Sequence, residues 1–203
     1  MNRRALILVG LALPFLGFAS PAAAQDAREL ARISAYLNSI TTLAGHFVQI
    51  DPDGILSEGK FYMSRPGRIR FEYDEPNPAL VVADGTWVGV VDKRYDQVNR
   101  YPLNETPLNL ILRADVNLGR EGAVEGIEVA DGQMRVRARD PDHPERGSIT
   151  MIFGANPLEL RQWIIDDAQG GSTTVALSDM RANVGIDPSQ FVIPKRGGQK
   201  VDR

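Results

Sequence analysis

The chain of 203 residues sets 23 Lys and Arg against 26 Asp and Glu, a net charge of −3, and contains no cysteine. An acidic balance argues against a nucleic-acid binder, which needs a basic field. The absence of thiols rules out disulfide staples and attachment of a lipid through a cysteine.

The first element reads as a targeting signal. Met1-Asn2-Arg3-Arg4 precede an apolar run from Ala5 to Ala19 and the small residues Pro21-Ala22-Ala23-Ala24, the three regions of a secretory signal. The run falls short of the roughly 20 residues needed to span a bilayer, and Pro14 and Gly17 interrupt it. Cleavage after Ala24 is expected, so residues 1–24 are the signal peptide and the mature chain begins at Gln25. Without Arg3 and Arg4 the balance becomes 21 basic against 26 acidic side chains, a net −5 over 179 residues, long enough for one sizeable core.

Asp26-Ala27-Arg28-Glu29 has the cap-and-acid spacing of a helix start, and Leu30, Ile33, Leu37 and Ile40 follow as one apolar stripe. This predicts an amphipathic helix that covers a surface. From Leu43 onward, short β-rich segments are separated by turn signals at Asp51-Pro52-Asp53-Gly54, Pro66-Gly67, Pro76-Asn77-Pro78, Asp84-Gly85, Asp131-Gly132 and Gly170-Gly171. Such punctuation predicts an antiparallel meander.

Within it, Gly59 to Arg65 alternates at period two and places Phe61, Met63 and Arg65 on one face. After Pro66-Gly67, Ile69, Phe71 and Tyr73 alternate with Arg68, Arg70 and Glu72, as in a half-buried strand. Paired as a hairpin, the two runs leave Arg65 at the lip of an apolar row. A charge placed there either snorkels to water or makes a specific bond.

The meander is interrupted at Thr106-Pro107, a good helix start followed by Leu108, Leu110, Ile111 and Leu112. One helix before a long antiparallel sheet and another inserted in it indicate an α+β fold with helices covering one sheet face. Residues 25–194 read as one domain without linker or repeat, and Lys195 to Arg203 as a loose, flexible polar tail.

Catalytic chemistry is scarce. His46, in a strand, and His143, in the turn-like Asp140-Pro141-Asp142-His143-Pro144, lack metal-ligand spacing and a nucleophile partner. Asp51-Pro52-Asp53-Gly54 starts like a calcium loop but lacks the remaining ligands, and Asp166-Asp167 before Gly170-Gly171 reads as a solvated turn. No phosphate loop or dinucleotide fingerprint occurs. No enzyme activity, metal or cofactor is expected.

Several pieces in order carry a family resemblance: Phe47-Val48-Gln49, Gly59 with Phe61, Arg65-Pro66, Phe71-Glu72-Tyr73 with Pro76, Asp84-Gly85, Gln97-Val98, Thr106-Pro107 and Pro157-Leu158-Glu159-Leu160. Together they resemble the LolA-type outer-membrane lipoprotein carriers, periplasmic chaperones of Gram-negative bacteria. The resemblance implies an incomplete antiparallel β-barrel, or half-barrel, with a helical lid over an apolar cavity. It implies that Arg65 bonds the lid and holds the empty cavity shut. The expected cavity lining is Phe47, Phe61, Met63, Ile69, Phe71 and Trp87, with Leu30, Ile33, Leu37, Leu108 and Ile111 on the lid; an ordinary closed core built from the same residues is the alternative. Where many relatives carry aromatics after Asp84-Gly85, this chain has Gly89 and Val91, with Trp87 as partial compensation.

The function implied is transport of lipidated lipoproteins from inner to outer membrane by a monomer. The partners implied are an inner-membrane lipoprotein-releasing transporter and an outer-membrane receptor. The family's receptor is itself anchored through an amino-terminal cysteine, which this chain lacks. The second reading is a periplasmic sensor module on the same half-barrel, regulating a membrane signalling protein; a hydrolase fits least, since no triad or acid pair emerges.

Overall fold

The computed structural model describes residues 21–195. The signal reading up to residue 20 and the tail from residue 196 fall outside the described residues. The first helix, α1 (Pro21–Ser39), starts five residues earlier than the Asp26 signal indicates. Ala22-Ala23-Ala24 are the best helix formers, so the small residues of the expected cleavage site also extend a helix.

Alternation and turn chemistry then produce eleven strands: β1 (Thr42–Ile50), β2 (Leu56–Ser64), β3 (Arg68–Tyr73), β4 (Ala79–Asp84), β5 (Trp87–Asp92), β6 (Gln97–Pro102), β7 (Val124–Ala130), β8 (Gln133–Arg139), β9 (Gly147–Ala155), β10 (Leu158–Asp167) and β11 (Ser172–Ala182). Each of the six sequence-read turns falls at a junction between two of them, Asp84 being the last residue of β4. At the first, the Asp51 carboxylate accepts the Asp53 and Ile55 amides at 3.0 and 2.8 Å, a hydrogen-bonded turn.

The sheet is antiparallel throughout, in the order β6-β5-β4-β3-β2-β1-β11-β10-β9-β8-β7. Pairing of β1 with β11 joins two meanders, so the edges, β6 and β7, are neighbours in sequence. The connection between them therefore spans the open side of a curled, unclosed sheet. Bulges between Ala44 and His46 and between Leu160 and Gln162 mark where strands bend. At Gly59 a Cβ would collide with the Glu72 carbonyl, so the close β2–β3 approach requires glycine.

The crossing connection holds a short 3₁₀ turn (Leu103–Glu105) and the four-residue α2 (Asn109–Leu112). Its helix is shorter than the Thr106-Pro107 signal indicates. The Asn109, Leu110 and Ile111 amides bond the carbonyls of Thr106, Pro107 and Leu108, so the expected first turn is wound at the tighter three-residue spacing. Ile33 and Leu37 of α1, Leu108, and Ile111 and Leu112 of α2 close over the concave face of the sheet and complete the main core.

On the convex face, residues 188–193 lie across β3–β5. Ile193 is buried against Leu80, Val82 and Val91, and the Arg68 guanidinium stands 5.7 Å from the Phe191 ring centroid. A Cβ on Gly89 would sit 2.5 Å from Ile193 Cγ2, so glycine there makes room for this strap.

Candidate functional site

The concave face is built by every second residue of each strand. Phe61, Met63, Ile69 and Phe71 project inward from β2 and β3, and β1 adds Leu43 and Phe47. Phe71 is the hub of an aromatic cluster, with ring centroids 5.1 Å from Phe47, 6.2 Å from Phe61 and 6.2 Å from Trp163. Tyr73 extends the cluster, 5.0 Å from Phe47, and donates its hydroxyl to Gln49 Oε1 at 2.7 Å. Burial pushes the Tyr73 phenol up to about 12.

Of the residues expected on the lid, Ile33, Leu37, Leu108 and Ile111 are buried against this face, and Leu30 is half-buried at its border. Under them lies a void of only about 20 Å³, lined by Leu37, Ile40, Leu43, Phe61, Met63, Ile111, Leu160, Trp163 and the Arg65 side chain. That space holds about one water molecule. The apolar chamber is thus filled by its own side chains. The apolar surface emerges near the β5 side in an open groove of about 830 Å³ that includes Val88, Val90, Leu108 and Ile165.

Trp87 is a correction to the expected lining. It is 43% exposed and lies on the convex side, beside Phe191 and Arg68. In β5 Val88 and Val90 take the inward face; Trp87, Gly89 and Val91 share the other, the last two beneath Ile193. Gly89 and Val91 therefore form the strap's seat and do not line the chamber void.

The strand-end arginine makes specific bonds. Arg65 Nη1 donates to the Leu37 carbonyl and, at 3.5 Å, to that of Ile40; Nη2 donates to Asn38 Oδ1 at 2.9 Å. On the other side, Nε and Nη2 reach the Arg113 carbonyl at 3.0 and 2.6 Å, and Nη2 reaches that of Ala114 at 3.3 Å. The β2–β3 hairpin thus clasps both parts of the cover, the end of α1 and the segment after α2. Helix α1 has no basic residue in its last turn, so Arg65 supplies from another element the cation that a helix carboxyl end favours. Its direct acceptors are all neutral. Burial lowers the guanidinium's pKa, and Asp115 nearby opposes the shift. The backbone reinforces the clasp, with the Arg65 amide on the Thr41 carbonyl and the Gly67 amide on the Leu112 carbonyl, both at 2.8 Å.

Sequence reasoning missed four residues of this arrangement. Asn38 joins the two halves of the cover: besides Arg65, it bonds the Val116 amide and carbonyl at 2.9 Å each, and Asp115 at 3.1 Å. Ser34 Oγ accepts the Leu118 amide at 3.0 Å, and Tyr36 Oη accepts the Leu160 amide at 3.1 Å. Trp163, 2% exposed, lines the chamber wall. Among the described residues no cluster of His, Asp or Glu could hold a metal ion, and no helix is long and apolar enough to cross a membrane.

An unclosed antiparallel sheet curled around an apolar chamber, with a helical cover tied across its mouth, defines a half-barrel protein of the lidded-chamber type. The chain belongs to the family described as outer membrane lipoprotein carrier protein LolA, which it matches over residues 38–194. It is 30% identical to the outer-membrane lipoprotein carrier protein of Chromohalobacter salexigens, over 95% of this chain and 92% of that one. To the protein of the same name from Alkalilimnicola ehrlichii it is 29% identical, over 90% and 87% of the two chains. Among solved structures, a DUF1329 family protein from Desulfovibrio piger shares the fold with a TM-score of 0.51 at 12% identity, over 83% of this chain and 96% of that one.

Proposed function

We propose that this protein is a non-enzymatic periplasmic carrier that takes up the acyl chains of lipoproteins and conveys them from the inner to the outer membrane. On this reading residues 1–24 direct export and are removed. An inner-membrane transporter loads the carrier, and an outer-membrane receptor takes over the cargo.

The observation that carries the proposal is the Arg65 clasp across an apolar chamber. The six contacts to the two parts of the cover hold shut a space with almost no room inside it. A closed core would not need such a clasp at its rim; a chamber that opens and recloses does. Phe47, Phe61, Met63, Ile69 and Phe71 are the proposed acyl-chain surface, Leu30, Ile33, Leu37, Leu108 and Ile111 the underside of the lid, and Arg65 its latch.

The energetics call for such a device. A lipoprotein with about three acyl chains of roughly 15 methylenes each exposes on the order of 35 kcal/mol of apolar transfer free energy to water. A carrier must bury much of that surface and still let it go, which needs an apolar space and a bistable cover but no reactive group. The test is incubation of the mature protein with a purified triacylated lipoprotein as detergent is withdrawn. A soluble one-to-one complex on size exclusion supports the proposal; aggregation of the lipoprotein as in buffer alone overturns it.

A further inference from the structure

We infer that Asp140, in the β8–β9 loop, is a positioning residue for the Arg65 clasp and acts on it through Arg113; the inference rests on the reading of Arg65 as the latch of a movable cover. Arg113 faces two ways. Its carbonyl accepts the 3.0 and 2.6 Å bonds from Arg65, while its own guanidinium extends in the other direction and donates to Asp140 Oδ2 at 2.7 Å. The ion pair is partly buried, with Arg113 34% and Asp140 15% exposed.

Asp140 is fixed in turn. Its other carboxylate oxygen accepts the Asp142 amide at 3.1 Å, and its carbonyl accepts the His143 amide at 3.1 Å. Burial works against its charge, but the Asp142 amide, Arg113 and His143 outweigh it and keep the carboxyl below its usual range. The same loop holds the crossing connection at two further points: Arg120 pairs with Asp142 at 2.7 Å, and Arg146 donates to the Asn104 carbonyl at 2.9 Å.

The cover segment is thus moored on one side by the β8–β9 loop and clasped on the other by the β2–β3 hairpin. The mooring matters because residues 113–117 have no regular secondary structure: the Arg113 amide caps α2 through the Asn109 carbonyl at 3.1 Å, but the Arg113 carbonyl itself belongs to no helix or strand ladder. Asp140 fixes the residue that presents this carbonyl. It also neutralises the second guanidinium at a peptide group whose other cation, Arg65, has Asp115 nearby. Neither Asp140 nor Arg113 lines the chamber void. Their effect on cargo therefore runs through closure of the cover, with no contact to acyl chains.

The test uses a Trp87→Phe parent, in which Trp163 in the chamber wall is the sole indole, and measures acrylamide quenching in cargo-free protein. Asp140→Asn is expected to raise the quenching constant about three- to ten-fold, the shift a partly buried ion pair supports, and Asp140→Glu to restore most of the protection. The double variant Asp140→Asn with Arg65→Leu should quench no more than Arg65→Leu alone, because the two act on one clasp. Quenching by Asp140→Asn equal to the parent, or an effect that multiplies with that of Arg65→Leu, overturns the inference. Should Asp140→Asn lose the fold by circular dichroism, Arg113→Gln carries the same two outcomes, since it keeps the carbonyl and removes the ion pair. A parallel arm follows binding of a fluorescent triacylated lipopeptide. Failure of the parent to bind it would end the carrier reading, and the cargo-free comparison would still decide the role of Asp140.

Discussion

Replacing Arg65 with leucine keeps an aliphatic stem at the chamber rim and removes every side-chain bond of the clasp. The guanidinium reaches five neutral acceptors: the carbonyls of Leu37, Ile40, Arg113 and Ala114 and the Asn38 amide oxygen. Bonds to a charged group each contribute about 1.5 to 3 kcal/mol, but Arg65 is half-exposed and water compensates part of the loss. A net 1.5 to 3 kcal/mol for the whole clasp is therefore a reasonable order of magnitude. All of it stabilises the closed, empty state, which competes with cargo. Arg65→Leu should accordingly bind cargo roughly 10- to 100-fold more tightly and release it more slowly. Arg65→Lys should lie between, because an ammonium has three donors and cannot span both halves of the cover as the planar fork does. Affinity is read by titration with fluorescent lipopeptide, and handover by timing transfer to acceptor membranes or receptor. Cargo binding weaker than wild type, or transfer at the wild-type rate, would refute the latch.

Three further outcomes are expected. Phe71→Glu puts an unpaired charge at the hub of the aromatic cluster and should abolish cargo uptake in protein that remains folded by circular dichroism, whereas Glu72→Gln on the opposite face should leave uptake intact. Because the Tyr73 phenol is raised from 10.0 to about 12, its contribution is complete below pH 10 and is lost as pH climbs toward 12. Tyr73 should account for about 2 to 3 kcal/mol of the stability lost across that window in denaturant titrations, and Tyr73→Phe should remove that share, leaving the part due to Tyr36, whose phenol is also raised by burial. Gly89→Val should lower the unfolding midpoint by overpacking against Ile193, at a cost of about 1 to 3 kcal/mol, and Ile193→Ala should relieve most of it with cargo affinity unchanged in both proteins.

Local chemistry was legible, and features that depend on strand phase or on distant partners were less so. The Gly and Pro turn signals each fall between strands because those residues supply conformations that strands cannot use. The β5–β6 turn escaped notice because no glycine marks it: Asp96 takes a φ of 55° and the Asp92 carboxylate accepts the Arg94 and Tyr95 amides. Arg65 could be placed at the rim from the alternation of β2 alone, but its partners lie 25 to 49 residues away along the chain. Trp163 was hidden by the bulge between Leu160 and Gln162, which shifts the alternation and turns the tryptophan inward. Trp87 shows the reverse error. It opens β5 directly after a tight turn, and only the pairing of Ala83 with Val88 decides which face it takes. Asn38 lies off the apolar stripe of α1, and nothing local marks its role because its partners belong to the irregular segment beyond α2.

The central claim is that the filled chamber opens to admit acyl chains against the concave wall. It is tested most directly by titrating the Trp87→Phe protein with a triacylated lipopeptide whose acyl chains carry bromine, a contact quencher of indole fluorescence. The account predicts saturable quenching of Trp163 at one lipopeptide per protein, with tighter saturation in the Arg65→Leu variant. Lipopeptide that binds without quenching Trp163 would place the acyl chains elsewhere on the molecule and contradict it.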